Sequence, residues 1–390
     1  MINKESFMII KNTVRDISLI KHGKRAKCGY YADMPLKIGI KLTNKCNLRC
    51  KHCYEWSEHG YCHNMEAHKQ NEELPLSVLT KVIKETKNHE SGFYLWGGEP
   101  LLYGHFDDFC DMIYQENADR LVVICTNGLL IKDKIDSLLK LGNGLEIVIA
   151  LEGFESDNDA IRGKGVFQKV KSSIEYLNSL KKKNAFHGKI TVHTVINESN
   201  YDNLYNYARY MEALEIDSLI FCFPWYISDQ TAREMTEIFT EEFQWIAEKS
   251  ESGKYSWDSF SYGIDPDKAD DIAEEFRKIQ LADWKINVRI FPKLCKDDIH
   301  QFLKGEITPH ENSKYCNSIS LRMDIMPDGS VPSCKHFAEF NVGNLKDSSI
   351  REVWNGNAYC RMRETLDKKL LPVCSQCNNF YLYDMEYNLL

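Results

Sequence analysis

From residue 36 onward, short apolar runs alternate with longer stretches in which apolar residues recur every three or four positions. The first run, LKIGIKLT, sets Leu36, Ile38, Ile40 and Leu42 on one face of a strand, with Lys37, Gly39 and Lys41 on the other. The same reading predicts strands at Phe93–Trp96, Leu121–Cys125, Leu145–Leu151, Ile190–Ile196 and Leu219–Phe223. Helical periodicity fills 75–88, 105–117, 133–141, 166–183 and 203–214 between them. A parallel neighbour is reached only by a crossover, and a helix of this length supplies one. Six strands with five intervening helices therefore read as an α/β fold, a (β/α)6 partial TIM barrel spanning 36–225. In such a sheet ligands gather beyond the carboxyl ends of the strands, so the residues just after each strand become the candidates for chemistry.

The flanks read differently. Residues 1–35 form an N-terminal extension, and 226–312 are rich in charge and helical pattern, suiting closing helices and a connection, with Ile286–Phe291 as a further strand candidate. Residues 313–390 carry cysteines and turn residues, including the PDG at 327–329, and are expected to form a separate small module. At 390 residues and 43% hydrophobic content the chain can bury a large core. A formal charge of −8 and a pI near 5.9 argue against a broad nucleic-acid footprint. The first residues lack an apolar signal-peptide core, and no window reaches the roughly 20 apolar residues that span a bilayer, so no membrane role and a cytoplasmic location are expected. Fourteen cysteines in a large chain of that kind point to metal sites or buried thiols before disulfides.

Directly after the first strand, KLTNKCNLRCKHCYEW presents Cys46, Cys50 and Cys53 as C-x3-C-x2-C. Three thiolates on a four-iron cubane leave one iron open, which lets a cluster bind a small molecule as well as pass electrons. A structural zinc ion asks for four ligands, and His52, His59 or His63 would have to supply the fourth. Otherwise the histidines at 59, 63 and 68 read as a solvated loop. A second feature, FYLWGGEP at 93–100, sets a double glycine and a carboxylate at the end of the second strand. Glycines let backbone approach closely, and a carboxylate suits an ammonium group.

In this order these motifs resemble the radical SAM superfamily, whose members bind S-adenosylmethionine (SAM) on the open iron of a 4Fe-4S cluster and cleave it to a 5′-deoxyadenosyl radical. The resemblance implies that Gly97, Gly98 and Glu99 meet the SAM amino group. It implies that Thr126 and Asn127, in the CTNG turn at 125–128, lie near SAM. In ALEGFESDNDAIRGKGVF, Glu152 and Arg162 would approach its ribose and carboxylate, although the family more often has Ser-x-Asp-Gly where this chain has Ala150-Leu151-Glu152-Gly153. Val195 and Ile196 would flank the adenine and the backbone of His52 would contact it; Tyr54 and Trp56, just after the third cysteine, suit a cover for the cluster or the adenine, or plain packing of the loop. Strand-end turn chemistry and core packing are the plain alternatives for each of these.

Near the C-terminus stand Cys316, then seventeen intervening residues before Cys334, and a further 39 before Cys374-Ser-Gln-Cys377. Four thiols complete a 4Fe-4S cluster or a zinc ion, and spacing alone does not separate them. Gly329, five positions before Cys334, makes a G-x4-C element that resembles the SPASM/Twitch modules of radical SAM enzymes, which implies iron. No cysteine follows Cys377, so one auxiliary cluster is expected, and Cys360, in the helical WNGNAYCRMRETL, reads as a buried thiol.

The resemblance implies a peptide maturase acting on a ribosomally made precursor peptide, forming a thioether, a carbon–carbon crosslink or an oxidised residue, with a flavodoxin or ferredoxin as electron donor. The short N-terminal extension leaves little room for a leader-binding domain before the barrel. One alternative is a peptide epimerase in which Cys222, at the end of the sixth strand, returns a hydrogen atom; Cys295 is the poorer candidate, and a buried core thiol is the plain reading of Cys222. Others are a small-molecule alcohol or amino-sugar dehydrogenase, or a non-catalytic metal-binding partner.

Overall fold

The computed structural model describes residues 34–89, 91–117, 120–246, 254–306 and 316–383, so the N-terminal extension lies outside the described residues except for Met34 and Pro35. All six expected strands form: β1 (Lys37–Lys41), β2 (Gly92–Trp96), β3 (Val122–Thr126), β4 (Leu145–Ala150), β5 (Lys189–Val195) and β6 (Ser218–Cys222). β7 (Asn287–Phe291) extends the sheet beyond β6, which realises the further strand candidate. β8 (Arg322–Ile325) was not expected; it pairs parallel with β1, so the cysteine-bearing region is not wholly separate but lends a strand to the main sheet. The order is β7-β6-β5-β4-β3-β2-β1-β8, every neighbour parallel, and no ladder joins β7 to β8. This is an open, partial barrel.

The two faces of the strands have different jobs. Ile38, Ile40, Phe93, Leu95, Val122, Ile124, Ile147, Ile149, Ile190, Val192, Leu219 and Phe221 are at most 1% exposed and face the outer helices. Helix Leu76–Glu85 answers with Val78, Leu79, Val82 and Ile83, and helix Val166–Lys182 with Val170, Ile174 and Leu177. Each such side chain contributes about 1.5–3 kcal/mol on burial, which fixes strand register firmly. The alternate residues face inward; among the apolar Val123, Val148 and Ile220 they include Lys41, Tyr94, Cys125, His193, Cys222 and Asp324. Gly39 is the gap that admits β8, since a Cβ there would lie 1.8 Å from Asp324 Oδ1.

The C-terminal region continues with an antiparallel pair, β9 (Ser330–Pro332) and β10 (Asn341–Asn344), then helix Asn357–Lys368 and helix Asn378–Tyr383. Tyr359 Oη donates to Arg322 O at 3.0 Å, and Asn378 Nδ2 to Phe223 O at 3.3 Å. These contacts hold the module against both β8 and the end of β6. Helix Glu155–Arg162, absent from the periodicity, follows β4 and carries Arg162 toward the barrel mouth.

Candidate functional site

The loop after β1 and the loop after β2 are sewn together by backbone. Gly98 N donates to Thr43 O at 3.0 Å and Glu99 N to Lys45 O at 2.7 Å. A Cβ on Gly98 would stand 2.2 Å from Lys45 O, and one on Gly97, whose φ is +156°, 2.5 Å from Thr43 O. Both glycines are therefore required by close approach of the cysteine loop. Glu99 is fully buried, and its carboxylate accepts from Leu101 N (3.1 Å), Thr126 Oγ1 (2.7 Å) and Asn127 N (2.7 Å). Glu99, Thr126 and Asn127 thus form one brace between the β2 and β3 turns. Asn127 Nδ2 extends it to Asn47 Oδ1, at 2.7 Å, inside the cysteine loop.

Within that loop Cys46, Cys50 and Cys53 are close enough for their charges to act on one another, and none of the described cysteines is in a disulfide. Burial pushes the Cys46 and Cys53 thiols up to about 12. Thiols raised this far stay protonated at neutral pH unless a cationic centre takes the thiolate. Donors are already in place for that state: Leu48 N lies 3.5 Å from Cys46 Sγ, Trp56 N 3.3 Å from Cys53 Sγ, and Arg162 Nη1 3.8 Å from Cys50 Sγ. Among the described residues no three Cys, His, Asp or Glu side chains converge tightly enough for a single metal ion. A cubane asks for a looser set, because each thiolate binds its own corner iron. The far end of the loop is tied by a buried ion pair, Lys41 Nζ to Glu55 Oε1 at 2.8 Å, with Tyr61 Oη donating to Glu55 at 2.6 Å.

Opposite stands Glu152, fully buried. It accepts from Arg162 Nη2, from His52 Nε2 at 3.0 Å and from Val195 N at 2.6 Å. Burial pushes its carboxyl upward, but Arg162 and His52 outweigh burial and hold it at about 2. Arg162 is thereby fixed with its Nε buried and without a hydrogen-bond partner, a donor that an anionic ligand group would satisfy. His52, Glu152, Arg162 and Val195 are therefore one network. Ile196 is fully buried in the core, and Tyr54 stacks on Phe260 with ring centroids 4.4 Å apart.

The inner wall gives Cys222, already a candidate from the sequence, a partner that sequence reasoning missed: its Sγ lies 3.0 Å from His193 Nε2 across the β5–β6 pair, and nearby Tyr94 Oη lies 2.7 Å from Cys125 Sγ. Burial holds His193 down to about 4 and the Cys222 thiol well up, so the pair is neutral at pH 7. Cys222 is buried, as the plain reading expects, but it faces the barrel interior. Lys335 Nζ sits 4.8 Å from the Tyr94 ring and 5.0 Å from the Trp96 ring. His59, His63 and His68 are exposed, in keeping with a solvated loop, and Cys295 is an exposed thiol 3.0 Å from Asp298 Oδ2.

The second cysteine set is also brought together. The charges of Cys316, Cys334 and Cys377 all bear on Cys374. Backbone N–H groups of Ser318 and Ile319 point at Cys316, those of His336 and Phe337 at Cys334, and those of Asn379 and Phe380 at Cys377. Four thiols ringed by amide donors suit a negatively charged iron–sulfur cluster. Cys360 lies on helix Asn357–Lys368, half-buried where a buried thiol was expected, with its sulfur 3.8 Å from Asn355 O.

Known proteins agree with this layout. Residues 40–210 match the Radical SAM superfamily, and residues 316–378 match SPASM, an iron–sulfur cluster-binding domain. The chain is 28% identical over 362 residues to the mycofactocin maturase MftC of Mycolicibacterium smegmatis, covering 89% of this chain and 76% of that protein. It is 25% identical over 266 residues to the GTP 3′,8-cyclase of Helicobacter pylori, covering 64% and 78%. Streptococcus suis SuiB bound to its precursor peptide SuiA superposes with a TM-score of 0.59 at 16% identity, over 93% of this chain and 73% of that one. At that identity the likeness is one of fold. No helix among the described residues is long and apolar enough to cross a membrane.

Proposed function

The chain is a radical SAM enzyme with a SPASM domain, and from that premise we propose that it abstracts a hydrogen atom from a residue of a ribosomally made precursor peptide. The observation that carries this reading is the pairing of a three-thiol loop at the barrel mouth with a four-thiol site in the C-terminal module, three ligands for one cluster and a full set for another. Relatives named as a mycofactocin maturase and as a sporulation killing factor maturation protein support the substrate class.

SAM and its 4Fe-4S cluster supply, when bound, the 5′-deoxyadenosyl radical; the protein decides which hydrogen it reaches. Cys46, Cys50 and Cys53 would hold that cluster, three thiolates for its four irons. Arg162, oriented by Glu152, binds the SAM carboxylate through the donor that otherwise lacks a partner. The backbone at Gly97 and Gly98, braced by Glu99, Thr126 and Asn127, receives the amino group, while His52, Tyr54 and Val195 enclose the adenine and Ile196 backs them from the core. Cys316, Cys334, Cys374 and Cys377 would hold an auxiliary cluster, one protein thiolate for each iron, so that none would be left to chelate the peptide and the cluster would supply a place for the surplus electron. A flavodoxin or ferredoxin supplies the starting electron. The product is a carbon–carbon crosslink, a thioether or an oxidised residue.

The test is anaerobic reconstitution, followed by reaction with SAM and synthetic versions of any short peptides encoded beside the gene. Wild type should carry about eight irons and give 5′-deoxyadenosine with a modified peptide, and the Cys46/Cys50/Cys53→Ala variant about four irons and neither product. Turnover of an alcohol or amino sugar with the peptide left unmodified would overturn the peptide reading.

The inward-facing Cys222, paired with His193, favours a second reading, epimerisation with this thiol as hydrogen-atom donor. On that reading Cys222→Ala cleaves SAM but returns no epimer. Unchanged product from the variant removes it.

A further inference from the structure

Beside the four-thiol site lies a cavity whose wall includes Cys374, Gln376, Cys377 and His336, closed by Trp225 and Phe260. Its polar groups are unsatisfied. Gln376 is 2% exposed, and neither its Nε2 nor its Oε1 has a partner. His336 is 6% exposed; its Nε2 accepts from Asn379 Nδ2 at 3.1 Å, which places the ring proton on Nδ1, and Nδ1 has no partner either. A buried donor left unpaired costs about 1–3 kcal/mol, and two in one aromatic-walled cavity against two cluster cysteines ask for a shared acceptor.

We propose that Gln376 Nε2–H and His336 Nδ1–H donate hydrogen bonds to the sulfur atoms of the auxiliary cluster and raise its reduction potential. The inference rests on the four-thiol reading above. Sulfur in an iron–sulfur cluster is the electron-rich acceptor at such a site, and hydrogen bonds to it are among the factors that set the potential. The reduced cluster carries one more negative charge than the oxidised one, so a donor stabilises it more. Trp225 and Phe260 reinforce the effect by keeping water from competing for the same sulfurs. Gln376 and His336 act through the cluster and touch no substrate, so they are positioning groups that make it a better acceptor for the electron leaving the substrate radical.

The full chain with Cys46, Cys50 and Cys53 all changed to Ala isolates the auxiliary cluster for measurement. After anaerobic reconstitution its midpoint potential is read by EPR-monitored redox titration in that background, and again with Gln376→Leu, His336→Phe or both. Each single change should lower the potential, by about 59 mV if one hydrogen bond is worth a tenfold change in the one-electron equilibrium, and the double change should lower it further. Equal potentials across the set overturn the proposal. If a variant fails to take up its cluster, the parent chain grown with side-chain 15N-labelled glutamine decides: pulsed EPR of the reduced cluster should detect a weakly coupled 15N, and its absence counts against Gln376. Iron content keeps two failures apart, since no four-iron cluster in the parent sinks the four-thiol reading, whereas a cluster indifferent to both residues sinks only this inference.

Discussion

Changing Gly98 to alanine attacks the join on which the SAM-side site depends. The new Cβ would lie 2.2 Å from Lys45 O and 2.5 Å from Asn44 O, both backbone atoms that no rotamer change can move aside. Ordinary contact begins near 3.5 Å, so the two loops must part by roughly 1 Å. That displacement weakens Gly98 N to Thr43 O and Glu99 N to Lys45 O, now 3.0 and 2.7 Å. Two backbone hydrogen bonds at about 1 kcal/mol each, with about 1–3 kcal/mol for overpacking, give a loss of about 3–5 kcal/mol. A domain typically has about 5–15 kcal/mol in all. Urea unfolding of the apo chain followed by circular dichroism should show a lower midpoint at unchanged slope. Gly92→Ala is the control: it stands at the start of β2, at the other end of the strand from the Gly98 loop, and its Cβ would meet nothing nearer than the Leu121 side chain at 3.4 Å, so the midpoint should barely move. Reconstituted Gly98→Ala should also lose most 5′-deoxyadenosine formation, because Glu99 carries the Thr126 and Asn127 turn with it. A Gly98→Ala chain as stable as Gly92→Ala, with SAM cleavage intact, would refute the reasoning.

Two further changes probe the charged network and the second thiol set. Glu152, held at about 2 against an ordinary carboxyl value near 4.5, adds about 3 kcal/mol to the apo chain above the unfolded value, and this is lost as pH falls from about 4.5 toward 2. Glu152→Gln should flatten the stability–pH slope in that window, and equal slopes would contradict the assigned partners. Arg162→Leu should cost about 3–5 kcal/mol by stranding a buried carboxylate, with much of the loss recovered in the Arg162→Leu/Glu152→Gln double variant. Cys334→Ala should roughly halve the iron content while SAM cleavage without peptide continues; iron retained in full would mean that Cys334 is not a ligand.

The strands were legible because burial on their outer face forces alternation, and Ile38 and Ile40 or Phe93 and Leu95 repeat it without exception. The thiol sites were legible because their chemistry lies mostly within short spacings, Cys46 to Cys53 and Cys374 to Cys377. β8 was not, and the reason is physical. Its sequence Arg-Met-Asp-Ile puts two charges on the inner face, which reads as surface until one sees that Arg322 and Asp324 neutralise each other, Arg322 Nη2 to Asp324 Oδ1 at 2.6 Å, in the space Gly39 leaves. The same blindness covers Glu99, whose partners at 126 and 127 come from the next strand, and the pair of His193 with Cys222, twenty-nine residues apart. A polar residue on a barrel's inner face has its meaning set by the neighbouring strand, so periodicity can place it but cannot say what it does. Glu152 is the sharpest instance. Its departure from the family's usual pattern puts a longer carboxylate at that position, and both of its oxygens are committed, to Arg162 and His52 on one side and to Val195 N on the other. What that carboxylate orients is the guanidinium of Arg162, whose buried Nε still lacks a partner, and that donor is where the network meets whatever anion the barrel receives.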